Sequence, residues 1–183
     1  MAAPVGTKDY TDGRPPWDWQ TKYPPEARSA INWEARILCS GLIIVLVLAG
    51  LAIFLSDHNI RIPILAASPE DGVDCRIMSI FFSGCVGGAT FSIKWLIHAV
   101  AHGSWHLDRR YWRLFVPLIG GVYAWVVLTI FETGIMGGGQ ATVMARPAAS
   151  TAAFAFLIGY FSDGVSGLLS NIANAVFGTI KEK

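Results

Sequence analysis

Four stretches of the chain carry no charged residue: Ile37 to Leu55, Ile77 to Ile93, Leu114 to Phe131 and Ala148 to Ser162. A helix rises about 1.5 Å per residue, so about 20 mostly apolar residues cross the roughly 30 Å hydrocarbon layer of a bilayer. Each stretch reaches that length or approaches it and continues past a single polar residue. The pattern therefore predicts an all-α chain, a bundle of four transmembrane helices spanning 37–56, 77–101, 114–135 and 148–170. The fourth changes character midway. From Asp163 the polar set Ser166, Ser170, Asn171 and Asn174 recurs at helical spacing, while Val165, Leu168, Leu169, Ile172, Val176 and Phe177 keep the opposite face apolar. That predicts an amphipathic extension to residue 180, with glycines 159, 164 and 167 available for a bend.

Residues 1–36 form a different region, an arm with Pro15, Pro16, Pro24 and Pro25 and the aromatics Trp17, Trp19, Tyr23 and Trp33. Prolines remove backbone donors and hold the chain extended, so helix is expected only from about Pro25, a favourable first-turn residue. The arm lacks the apolar core of a signal peptide. A polar loop joins the first two spans, a short cationic loop holding Arg109, Arg110 and Arg113 precedes the third, and Gly137–Gly139 ends it with a turn. Counting lysine and arginine orients the chain. With four spans, the arm, the middle loop with Lys94 and the tail together hold eleven, and the opposite side holds three, Arg61, Arg76 and Arg146. Both termini are expected in the cytoplasm, with domain 37–180 in the cell membrane as a multi-pass protein.

Composition sharpens this by exclusion. Of 183 residues, 53% are hydrophobic and 15% are charged, against about a quarter charged in ordinary soluble domains. The spans leave no segment long enough for a separate catalytic domain. A net charge of +1 gives no basic field for nucleic acid. Cys39, Cys75 and Cys85 lack the spacing of a disulfide scaffold or a zinc site. The sequence holds no phosphate-binding glycine loop, nucleophile elbow or zinc-protease pair, so neither an enzyme nor a cofactor is expected.

Several groups remain as candidates. Helices in lipid associate through close approach of small residues, and Ser79, Ser83, Gly84, Gly87 and Gly88 on the second span, with Gly120 and Ala124 on the third, offer such faces. They pack either within one protomer or between protomers. Lys94 and Asp163 fall in apolar stretches at similar depth and are expected to form an intramembrane ion pair, unless Lys94 snorkels to headgroups and Asp163 meets water. His98, His102 and His106 recur every fourth residue. Three ligands along one straight helix span about 12 Å, too far for one ion, which leaves His98 and His102 as weak metal or haem candidates and no metal expected. The face of Asp163, Ser166, Ser170 and Asn174 would line a pore if copies assembled around it. Trp17, Trp19 and Tyr23 are the anchors by which the arm would grip a partner, or rest at the membrane interface.

From Gly84 onward, the glycine-rich helix, the basic aromatic loop, the run Arg113-Leu-Phe-Val-Pro117-Leu-Ile-Gly120-Gly121 and the closing Gly159-Tyr-Phe-Ser-Asp163 with Leu168-Leu169 resemble uncharacterised bacterial four-pass inner-membrane proteins. The likeness covers about half of the chain. It implies a bacterial-type membrane module and no particular activity. The resulting expectation is a non-enzymatic structural or interaction protein, a subunit of a homo-oligomer or a larger membrane complex, whose partners are lipid, itself and other membrane subunits. A homo-oligomeric channel and a redox or metal-binding protein using His98 and His102 are the alternatives.

Overall fold

The computed structural model describes residues 21, 23–62, 73–132 and 147–178. These described residues form five helices: α1 (Pro25–Asp57), α2 (Cys75–Ala101), α3 (Arg109–Glu132), α4 (Ala148–Tyr160) and α5 (Ser162–Phe177). One small ladder interrupts the helices: β1 (Arg61–Ile62) pairs antiparallel with β2 (Val73–Asp74), tying the end of α1 to the start of α2. The Cys75 thiol donates to the Ile60 carbonyl at 2.8 Å across the same junction.

Local chemistry fixes the ends. Pro25 opens α1 where a missing N–H costs nothing. Asp74 caps α2 by accepting from the Arg76 backbone N–H at 2.9 Å. Gly103 takes φ +69 just past α2, and the chain doubles back so that the Ser104 N–H reaches the Ala99 carbonyl at 2.9 Å. Pro147 immediately precedes α4.

Helix α2 is the hub, packed against α1, α3 and α4. Tyr23 and Leu38 of the α1 side meet Ala99 and Leu96, so α1 and α2 run antiparallel. Gly84 faces Ala124 and Gly120 while Gly88 faces Val116 and Pro117, so α3 is antiparallel as well. Arg76 reaches Thr151 and Gly87 meets Phe156 and Tyr160, which sets α4 parallel to α2. The start of α1, the end of α2 and the start of α3 thus share one end of the bundle, the basic end. Outward faces are apolar: Ile43, Ile44, Leu46, Val47, Leu51 and Phe54 of α1 are exposed, as are Phe115, Leu118 and Trp125 of α3. A surface of that kind is suited to lipid rather than water. Among the described residues three helices, α1, α2 and α3, are long and apolar enough to cross a membrane.

The structure alters the expected fourth span. α4 ends after 13 residues, and α5 leaves it at 92°. Helix α4 measures about 20 Å, so 148–170 is a broken pair and not one straight span. The backbone turns at Phe161, with φ −100 and ψ 32, and α5 closes at Gly178 in the left-handed region at φ 59, short of residue 180. Helix α1 begins at Pro25, as expected, and runs unbroken past residue 36, so Trp33 and Glu34 belong to the helix that enters the membrane domain. Helix α3 likewise begins at Arg109, inside the expected cationic loop. Trp17, Trp19, Gly137–Gly139, Arg146 and the end of the third span at 133–135 lie outside the described residues.

Candidate functional site

The polar chemistry gathers at the basic end. Glu34 falls on the stripe Ile31, Glu34, Leu38 that α1 turns toward its neighbours, and it is 0% exposed. Arg113, 3% exposed, meets it from the first turn of α3 in a two-pronged pair: Nε donates to Oε1, and Nη2 donates to Oε2 at 3.0 Å. The Trp105 indole N–H adds a third donor to Oε2 at 2.9 Å. Trp105 comes from the segment between α2 and α3, and its backbone N–H reaches the Tyr23 hydroxyl at 3.3 Å. That hydroxyl in turn lies 3.3 and 3.4 Å from the Ala99 and Val100 carbonyls at the end of α2. Three helices and the strap are stitched by one network. Outside it, the Arg110 guanidinium sits 3.9 Å from the centre of the Trp33 ring, a cation–π contact.

Sequence reasoning missed this pair. Glu34 counted as an anion of the arm and Arg113 as a cation of the loop. The i, i+3, i+7 spacing of Ile31, Glu34 and Leu38 was the available signal, because it puts the carboxylate on the inward stripe.

The expected Lys94–Asp163 pair does not form. Lys94 donates to the Tyr160 hydroxyl at 3.1 Å and lies 5.7 Å from the centre of that ring. The turn at Phe161 carries Asp163 away from the course a straight helix would have given it. Asp163 instead lines a cavity with Trp95, Ala99, Ser104, Arg109, Trp112 and Arg113, of about 340 Å³. A second cavity of about 320 Å³, lined by Phe91, Lys94, Trp95 and His98, shares Trp95 with it. Phe91 braces the walls edge-on, with ring centres 6.3 Å from Trp95, 6.0 Å from Trp112 and 5.8 Å from Tyr160.

The histidine ladder breaks. His98 and His102 stack with ring centres 4.0 Å apart, and His102 Nδ1 lies 2.9 Å from the His98 carbonyl. His106 falls beyond the end of α2. Among the described residues no group of three or more His, Cys, Asp or Glu side chains is placed to hold a metal ion.

The small residues lie where helices meet within the protomer. A Cβ added to Gly84 would stand 2.5 Å from the Ala124 Cβ and 2.6 Å from the Gly120 carbonyl, and one on Gly88 would stand 2.6 Å from the Val116 carbonyl. Gly87 abuts Phe156 and Tyr160 of α4, and Gly159 abuts Gly84. Ser79 and Ser83 are buried beside them, Ser79 donating to the Arg76 carbonyl at 2.7 Å. Gly159, read from the sequence only as a bend, is thus the α4 partner of this contact. On α5, the Ser166 hydroxyl lies 3.1 Å from that of Tyr123, Ser170 is exposed and Asn174 is half-buried.

Compared with protein-family models, with curated proteins and with solved structures, the chain matches none.

Proposed function

We propose that this chain is a non-enzymatic integral membrane protein that acts through contacts with copies of itself or with other membrane subunits. The observation that supports it most is the closed interior. At Gly84, Gly120 and Gly159 the backbones of α2, α3 and α4 approach until no side chain fits between them, and the buried charges at the basic end satisfy one another. Among the described residues the long apolar flank of α1 is one free surface, where Gly41 and Gly50 have open space beyond them. The likeness to bacterial four-pass proteins points to the same setting, the cell membrane, and the lysine and arginine count puts the basic end in the cytoplasm.

Native mass spectrometry of the full chain, released from membranes in mild detergent, tests this reading. A dimer, a higher assembly or a co-purifying membrane subunit is the expected result, and a lone monomer at every detergent concentration sinks it.

We read against a channel: α5 leaves α4 at 92°, so the Asp163 to Asn174 face is not continued along α4. Bilayers containing the purified protein are expected to show no conductance; currents altered by Asp163→Ala would reverse that. The course of α4, parallel to α2, predicts sidedness. His106→Cys and Ser170→Cys, each as the sole cysteine, should react with an impermeant maleimide from the same face of the membrane, and labelling from opposite faces would refute that topology.

A further inference from the structure

We propose that the twin cavity at the basic end holds the headgroup of a zwitterionic glycerophospholipid, with its phosphate on Arg109 and its ammonium on Asp163. Two opposite charges face this space unpaired. Arg109 and Asp163 line the same 340 Å³ cavity. Among the described residues neither side chain has an ion pair or a hydrogen bond to another. The neighbouring cations are committed elsewhere: Arg113 to Glu34, Lys94 to Tyr160 and Arg110 to the face of Trp33. A cavity of this size falls within the range of small-molecule sites, about 300–1,000 Å³.

The charge pattern selects the ligand. A guanidinium takes a phosphate through two parallel N–H donors. A purely anionic headgroup on Arg109 would leave Asp163, in the same cavity, without a counter-charge. A headgroup carrying both signs satisfies Arg109 and Asp163 together, and the half-exposed indoles of Trp95 and Trp112 supply faces for an ammonium. Location selects a lipid over a free metabolite. The cavity opens where exposed tryptophans and arginines cluster at one end of the apolar helices, the composition of a bilayer boundary. Beside it the second cavity continues along Phe91 and Trp95, apolar except for Lys94 and His98, and gives the glycerol and first acyl carbons a path.

The inference rests on membrane insertion and not on the interaction role. Carbonate extraction of membranes reads insertion separately, so failure of that premise is distinguishable. The test is native mass spectrometry of the full chain with dioleoyl-phosphatidylethanolamine, dioleoyl-phosphatidylglycerol and soluble O-phosphoethanolamine. The native protein is expected to retain one phosphatidylethanolamine with a preference of roughly tenfold over phosphatidylglycerol. Asp163→Asn should bring the two lipids to near parity, and Arg109→Gln should weaken both. Both side chains are exposed, and an unchanged melting temperature checks that the variants fold. Equal retention of the two lipids by the native chain, or an undiminished preference in Asp163→Asn, overturns the proposal. Soluble phosphoethanolamine binding as tightly as the lipid overturns the lipid assignment.

Discussion

Replacing Glu34 with alanine is expected to lower the stability of the membrane domain by about 3–5 kcal/mol, the cost of leaving a buried charge without its partner. Arg113 is 3% exposed and its guanidinium is turned onto the carboxylate, so the change leaves a buried cation without the two oxygens it donates to. The Trp105 indole loses its acceptor in the same step. Because a tryptophan reports the site directly, the measurement is denaturant unfolding in mild detergent followed by fluorescence. Two further variants separate pairing from packing. Arg113→Lys keeps the charge and loses the two-pronged geometry, and should fall between native and Glu34→Ala. The double variant Glu34→Leu with Arg113→Met removes both charges, and should regain most of the loss, since apolar groups of similar volume often replace a buried pair without penalty. A double variant as unstable as Glu34→Ala would show that the pair itself contributes net stability.

Gly159→Val is the second large effect. A Cβ at residue 159 runs into the Gly84 carbonyl, which is helix backbone and cannot swing aside as a side chain would. Overpacking costs about 1–3 kcal/mol when a core can adjust; here α4 must separate from α2, and a loss at or above that range is expected. Gly84→Val should do the same from the other side, against Ala124 and Gly120. Gly164 supplies the control, since nothing lies within 4 Å of a Cβ built there. Gly164→Ala, in the first turn of α5, should leave stability unchanged or raise it by less than about 1 kcal/mol, because alanine loses less backbone freedom in a helix than glycine. Thermal unfolding of the three variants in one detergent checks the order, and a Gly159→Val protein as stable as native would refute the contact.

These two sites were unequally legible in the sequence. The apolar runs gave α1, α2 and α3, because crossing a bilayer imposes a length and a composition that no tertiary contact has to supply. The small residues of α2 and α3 stood out for a similar reason, since only small side chains let backbones touch. Gly159 was visible too, yet a glycine serves equally as a bend or a contact, and only the partner decides between them. The turn at Phe161 was marked only as an option: Gly159, Ser162, Asp163 and Gly164 are weak helix formers and allow a bend, but nothing in their pattern sets its place or its 92° angle. Misplacing it also misplaced Asp163 and created the pair with Lys94. Glu34 was hidden by its company. A carboxylate among the prolines and charges of residues 21–36 reads as solvent-facing, and its burial depends on Arg113, nearly 80 positions later in the chain.

The brevity of α4 acts on the lipid as well as on the protein. The uncharged stretch of α1, Ile37 to Leu55, is long enough to match an ordinary hydrocarbon layer, whereas the 13 residues of α4 reach only about two-thirds of the way. Lipids beside α4 and α5 must shorten or tilt to keep their chains covered, while those beside α1 need not. In the proposed membrane setting this mismatch favours a lopsided thickness around the protein, with the lowest elastic cost where two such dimples merge or where the sheet is already thin.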